Sequence, residues 1–258
     1  IVYGDTDSVF VTFSLKNDKG EQLRGKEALQ KSIDLGVEAG KRISKILKKP
    51  QDLEYEKTFL PFILLSKKRY VGNKYEFDVN SYKQTSMGIV LKRRDNAMIL
   101  KVIYGGIIDI IMKEMKVGRA IDFLQVGLRN LIKGKFGLDK LIITKTLNDG
   151  YKNPEAIAHK VLADRMGERD PGNKPQLYDR IPFAYIQTTQ KNPLQGERIE
   201  HPDYIRTHHL KADYEFYITN QLMKPISQVF ALAIEDIPTI RNSKARYTAL
   251  EKKYSSAG

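Results

Sequence analysis

The texture of this chain changes near residue 95, from mostly strand-like to mostly helical, and that change limits the folds open to it. Up to residue 13, β-prone residues flank a polar centre, Gly4-Asp5-Thr6-Asp7-Ser8, the pattern of two short strands around a turn. Leu29, Ile33, Val37, Ile43 and Leu47 then fall on one stripe at about 100° per residue, which predicts a helix over about 26–47. Lys41, Arg42, Lys45, Lys48 and Lys49 crowd its end, where cations suit the helix dipole, and Pro50 stops it. Residues 53–57, 61–71, 74–79 and 86–91 read as short strands separated by turns.

Beyond Asp95 the texture is helical. Asn96–Met115 and Ala120–Lys133 read as helices, and Leu141–Thr144 as a strand. Pro154–Met166 reads as a helix with proline in its first turn. A strand over Ile181–Gln187 and one long helix over Tyr204–Ala233 follow, before a basic end that frays into Ser-Ser-Ala-Gly. The expectation is an α+β chain: antiparallel sheet with a helix, then a mostly helical half, divided near residues 95–100.

Net charge narrows the partners. Lys and Arg number 44 against 31 Asp and Glu, a balance of +13 over 258 residues, which favours nucleic acid or an anionic membrane surface. With no cysteine, disulfide scaffolds, thiolate metal sites and cysteine nucleophiles are excluded. The most apolar stretch, Ala97–Met112, carries Lys101 and Asp109 and is shorter than the roughly 20 residues of a membrane span. No signal peptide opens the chain, and Ile1-Val2-Tyr3 reads as mid-strand, so a longer parent protein is expected. His159, His201, His208 and His209 lack a ligand pattern and read as surface or core residues.

Asp5 and Asp7 lie two apart, so on an extended segment both side chains leave one face and can approach one electropositive centre. Mg²⁺ takes such hard oxygen ligands, a few carboxylates beside substrate phosphates. The same residue types also make an ordinary hairpin turn. Lys67-Lys68-Arg69-Tyr70 begins where an apolar run ends; on a strand, Lys68 and Tyr70 would share one face and Lys67 and Arg69 the other. In Lys92-Arg93-Arg94-Asp95, either the cations contact a phosphate backbone or they pair with the acid.

Tyr3-Gly4-Asp5-Thr6-Asp7-Ser8 between apolar arms resembles the palm motif of family B DNA polymerases. Lys67–Tyr70 resembles the primer-binding element of that family, and Gly88–Asn96 the segment leading from palm to thumb. Leu141–Lys145, Asp179–Ile186 and Tyr217–Pro225 resemble successive thumb elements. The likeness is nearest to the delta-type replicative group, including polymerases of large DNA viruses.

The resemblance implies that residues 1–97 are the C-terminal part of a palm and 98–258 a thumb. It implies template-directed DNA synthesis by the parent protein, with two Mg²⁺ ions shared with a palm strand absent from this chain. Asp5 and Asp7 would be catalytic and metal-binding, Asp7 the firmer ligand. Glu54 and Glu56 match acids that serve an additional metal, or are solvated strand carboxylates. Lys67, Lys68, Arg69, Tyr70, Lys92, Arg93 and Arg94 would contact DNA. Primer–template DNA and dNTP are the implied partners, a sliding clamp or processivity factor a further candidate, and a membrane is not expected. A second catalytic Asp strand and a fingers helix are not found here, so the chain alone is expected to be inactive. A non-catalytic DNA-binding module and a metal-dependent nuclease are the competing readings, and the second leaves the thumb-like half unexplained.

Overall fold

The polar centre of the first thirteen residues forms a turn in the computed structural model, which describes residues 1–235. Strands β1 (Tyr3–Asp5) and β2 (Ser8–Phe10) pair antiparallel around Thr6 and Asp7, with Asp5 opposite Ser8. A lone hairpin of this size is marginal in water. Phe10 supplies what it lacks: its ring lies 5.6 Å from Phe62, 5.8 Å from Tyr70 and 6.0 Å from Phe59.

Those three rings stand on the antiparallel sheet β3 (Thr58–Ser66), β4 (Arg69–Tyr75) and β5 (Lys83–Met87), paired in that order. Phe59 and Phe62 are three residues apart, which in a regular strand puts them on opposite faces. A bulge at Leu60-Pro61 corrects this, because Phe59 pairs with Lys74 and Phe62 with Gly72. Pro61 sits where proline is tolerated, on an edge strand. Gly72 leaves room for the rings, since a Cβ there would come within 2.7 Å of the Phe59 ring.

Helix α1 (Gly25–Ser44) ends about three residues before its expected limit. Gly36, Gly40 and Ser44, four apart, form a face of small residues that takes in residues 53–55: a Cβ on Gly40 would lie 2.9 Å from the Leu53 carbonyl oxygen. The Ser44 hydroxyl donates to the Leu53 carbonyl (3.0 Å) and accepts from its N–H (2.8 Å). Residues 53–57 therefore run beside a helix and not in a sheet, as a strand reading had it. Three further expectations change. Residues 61–71 split into β3 and β4 at a Lys67-Lys68 turn, 76–82 form a loop, and of 86–91 the strand β5 keeps Ser86 and Met87, a 3-10 turn following at Val90–Lys92.

Ile1–Ile89 is one compact unit and the described residues from Val90 onward are a second, residues 90–97 being grouped with the helices that follow. The second unit is built on α2 (Met98–Glu114), whose Ile99, Leu100, Ile103, Tyr104, Ile107 and Ile108 are all buried. Packed against it is α3 (Val117–Ile132), which follows a left-handed cap at Met115. Strands β6 (Ile143–Thr146), β7 (Arg180–Tyr185) and β8 (Ile199–Glu200) make an antiparallel sheet, with α4 (Ala158–Arg169) between β6 and β7 in the chain.

The long helix expected over 204–233 is broken. It becomes α5 (Pro202–Thr207), α6 (Tyr214–Phe216), a π-helical turn (Tyr217–Leu222) and α7 (Met223–Glu235). Residues 210–213 are drawn out along β7: the Gln187 N–H donates to Lys211 O, and the Asp213 N–H to Tyr185 O. Asp213 then caps α6 by accepting from the Phe216 N–H. In the π turn, the Tyr217 hydroxyl donates to Leu141 O (2.7 Å) and accepts from the Tyr185 N–H (3.0 Å). Glu200, 4% exposed in its side chain, is held by Arg169 (3.0 Å) and Arg165 (3.4 Å). The basic end of the chain lies outside the described residues.

Asp95 organises the start of this unit. Arg93 grips it with two nitrogens, Nε at 3.0 Å and Nη2 at 2.8 Å, and Lys145 adds a third bond at 2.8 Å. The Arg93 and Lys145 bonds hold the Asp95 carboxyl well below the ordinary value of 3.8, against the effect of burial. A depressed folded-state pKa stabilises fully above the unfolded value and is lost as pH falls through and below about 3.8. Asp95→Asn is expected to cost about 1–2 kcal/mol at neutral pH and to flatten the acid limb of the unfolding curve. Thermal scans of both proteins between pH 7 and 3 check this; parallel pH profiles would refute it.

Candidate active site

Hairpin geometry fixes where the two carboxylates go. Thr6 and Asp7 are the central turn residues, and Thr6 has φ +52°, a left-handed conformation that a β-branched residue rarely adopts. In a two-residue hairpin turn with positive φ at its first central position, glycine is the usual occupant. The Ser8 hydroxyl donates to Asp5 O (3.1 Å) and the Thr6 hydroxyl to the Asp5 carboxylate (3.3 Å). Asp7 is exposed and forms no hydrogen bond or ion pair among the described residues.

The second part of the site comes from the β3–β4 turn. Lys68 has φ +59°, its backbone N–H donates to the Tyr3 hydroxyl (2.8 Å), and its Nζ lies 2.8 Å from the Asp5 carboxylate. Residues more than 60 positions apart are thus joined at one place. The Lys68 hydrogen bond lowers the Asp5 pKa, outweighing desolvation, and Asp5 raises that of Lys68 in turn. Gly88, at φ +60°, closes the turn from behind: a Cβ there would lie 2.2 Å from the Lys68 carbonyl oxygen. Glycine is required there twice over, by conformation and by space.

The remaining expected site residues are placed as follows. Lys67 is exposed in the turn, while Tyr70 is 8% exposed, its ring 5.4 Å from Phe62 in the aromatic cluster. The face-sharing of Lys68 with Tyr70 therefore does not hold, because Lys68 is a turn residue. Arg69 begins β4. Glu54 and Glu56 are both exposed, and Glu56 pairs with Lys57. Arg93 is committed to Asp95; Arg94 is exposed and has no ion pair among the described residues; the Lys92 side chain lies outside what the structure describes. Among the described residues, no three His, Asp or Glu side chains gather closely enough to hold a metal ion. His159 meets the Tyr151 hydroxyl and His201 caps α5, which are structural uses.

Sequence reasoning missed the Tyr3 hydroxyl as a partner of the Lys68 backbone and Lys145 as a partner of Asp95. Both join segments about 50 or more positions apart, beyond any local pattern.

The model of DNA polymerase family B matches residues 1–233. The chain belongs to DNA polymerase family B. It is 61% identical over 240 residues to the DNA polymerase of Pyramimonas orientalis virus, covering 92% of this chain and 20% of that protein. Against the DNA polymerase delta catalytic subunit of Caenorhabditis elegans it is 33% identical, covering 92% of this chain and 21% of the relative. The chain thus spans about a fifth of the length of these relatives. The family B DNA polymerase of the archaeon Pyrobaculum calidifontis shares the fold, with a TM-score of 0.54 at 23% identity over 74% of this chain and 24% of that one.

Two substitutions test how the site is held. Thr6→Gly relieves a strained position and is expected to raise stability by about 0.5–1 kcal/mol. Gly88→Ala is expected to lower it by more than about 1 kcal/mol and to speed hydrogen exchange at the Lys68 amide. Unchanged Lys68 protection in Gly88→Ala would show that the turn does not lean on Gly88.

Proposed function

We propose that the protein carrying this chain synthesises DNA on a template, transferring nucleotides from dNTP to a primer 3′-hydroxyl. Residues 1–97 serve as the C-terminal part of its palm and 98–258 as its thumb. The observation that carries this reading is the docking of the Lys68 turn on Asp5 and Tyr3, which brings a cationic turn and a carboxylate turn to one place.

Asp7 suits a divalent cation, because its hard oxygens are exposed and unengaged among the described residues. Asp5 is partly neutralised by Lys68, which makes it the weaker ligand and the better anchor. Two carboxylates are fewer oxygens than Mg²⁺ takes, so substrate phosphates, water and other residues of the parent complete the set. When bound, two Mg²⁺ ions supply Lewis-acid stabilisation of the attacking and leaving oxygens. Lys68 holds the Asp5 carboxylate in position through its ammonium group. Lys67 and Arg69 flank it and offer cations to the primer backbone with little dependence on sequence. Tyr70 serves from inside, packing the wall on which the hairpin rests. Glu54 and Glu56 keep their proposed part in an additional metal site. Arg94, exposed and without an ion pair among the described residues, is a freer DNA contact than Arg93, and Lys92 keeps its proposed part.

Asp7→Ala in the intact protein is expected to abolish nucleotide incorporation and leave primer–template affinity largely unchanged, since that affinity comes from cations on phosphates. Wild-type incorporation by Asp7→Ala would overturn the assignment and favour a non-catalytic DNA-binding module. Lys68→Ala is expected to slow extension on the order of 10²-fold at saturating DNA, as a misplaced carboxylate and primer end would. Primer-extension kinetics beside DNA titrations separate the two effects.

A further inference from the structure

The loop between β4 and β5 holds an aromatic ring out from the first unit. Phe77 is 68% exposed, yet the chain around it is pinned on both sides. The Tyr55 hydroxyl donates to Glu76 O (2.7 Å), and the Lys26 ammonium donates to the Asn80 side-chain oxygen (2.7 Å). Between those points Asp78 closes a turn of its own, accepting the Asn80 N–H (2.8 Å) at its carboxylate and the Ser81 N–H (3.3 Å) at its carbonyl. Tyr55 sets the Phe77 ring itself, edge to face at 5.5 Å. A cleft opens on either side of that ring. The first, about 370 Å³, lies between the ring and α1, with Ile33 and Val37 as its apolar lining. The second, about 400 Å³, lies between the ring and Tyr82 and is lined mostly by polar residues. A space of about 150 Å³ takes benzene, so the first cleft has room for an aromatic ring.

A fixed knob beside a hole is a shape that can fit itself. In a two-fold contact the same patch lies on both sides, so the patch must carry knob and hole together. Charge points the same way. Four acids, Asp34, Glu38, Glu76 and Asp78, line the two clefts with three cations, Lys41, Lys74 and Lys83, on a chain whose balance is +13. A nucleic acid or an anionic membrane finds no excess of cations here. A second copy finds both signs. Asp34 accepts from the neutral Gln30 amide (3.0 Å), and neither Asp34 nor Lys41 forms an ion pair among the described residues. They stand two turns apart on α1, so a two-fold axis between them brings each against the other's opposite charge. We propose that this face pairs two copies of the chain, the Phe77 ring of each entering the other's cleft against Ile33 and Val37. A loop already held in place loses little freedom on docking. β4 and β5 pair as far as Lys74 and Lys83, so the loop beyond them can be shaped for this contact without altering the sheet. None of the residues assigned to DNA synthesis lines these clefts, so the pairing stands or falls apart from that reading.

The test is sedimentation velocity on the intact protein over about 1–100 μM, where a small contact with one aromatic anchor per copy dissociates. The wild type is expected to pass from monomer to dimer, and hydrogen exchange over residues 26–44 and 76–83 to slow as it does. Phe77→Asp is expected to raise the dissociation constant about 30-fold or more, because a ring buried at the centre of a contact carries much of its binding free energy. Val37→Lys, which leaves the knob and blocks the hole, should weaken pairing to a similar degree. Mixed together, the two variants should associate again: one intact ring meets one intact cleft, and the introduced acid meets the introduced cation. That recovery separates a lost contact from a lost fold, since a misfolded variant would not regain a partner. A wild-type monomer at every concentration overturns the proposal, and so does a dimer that persists in both variants. A dimer whose slowed exchange lies outside 26–44 and 76–83 overturns it as well. A monomeric wild type whose 76–83 exchange slows only when a different protein is added would assign the face to that protein instead.

Discussion

The first unit depends on the ring of Phe10. A two-stranded hairpin of three-residue strands has too few hydrogen bonds and too little buried surface to stand alone. Seated among Phe59, Phe62 and Tyr70, Phe10 ties the hairpin to a sheet that can carry it. Everything in the seat serves that contact: the bulge that turns Phe59 and Phe62 to one side, the proline on an edge, and the glycine at 72. The carboxylates at the far end of the hairpin inherit their position from this packing, which is apolar and therefore indifferent to the charges it supports.

Electrostatics then divides the two acids. Asp5 and Asp7 are of one residue type and share one turn, but among the described residues it is Asp5 that forms an ion pair, with the Lys68 ammonium. The difference is made by backbone, since Lys68 reaches Asp5 from a left-handed turn fixed by Tyr3 in front and Gly88 behind. One carboxylate is anchored and the other left available, an asymmetry that two neighbouring acids on a plain turn would not have.

Much of this was legible in the sequence. The strand–turn–strand of residues 3–10 follows from β-prone arms around a polar centre, and the helices near 98–114 and 117–132 from apolar residues at helical spacing. Residues 53–57 show where pattern stops. Their alternation is real, with Leu53, Tyr55 and Lys57 half-buried and Glu54 and Glu56 exposed, yet the neighbour is a helix and not a strand. Period reports which side is covered, never by what. The break at 208–213 was invisible for a similar reason: Lys211 and Ala212 suit a helix, and only the edge of β7 draws them straight. Of the site, the acids and cations could be picked out by type. Their meeting could not, because Lys68 approaches through a turn that a continuous β-prone run concealed.

The small-residue face of α1 has a consequence for how this region can vary. A sheet partner holds a neighbouring strand by a repeating ladder and tolerates a shift of two residues with its facing intact. Gly36, Gly40 and Ser44 offer no such repeat; they hold the chain at Leu53 by one hydroxyl and by the absence of atoms. The stretch between Ser44 and Leu53 therefore acts as a gauge, setting which residues enter β3 and with what phase. Length changes belong elsewhere in this unit, in loops such as 76–82, where nothing downstream is counted from them.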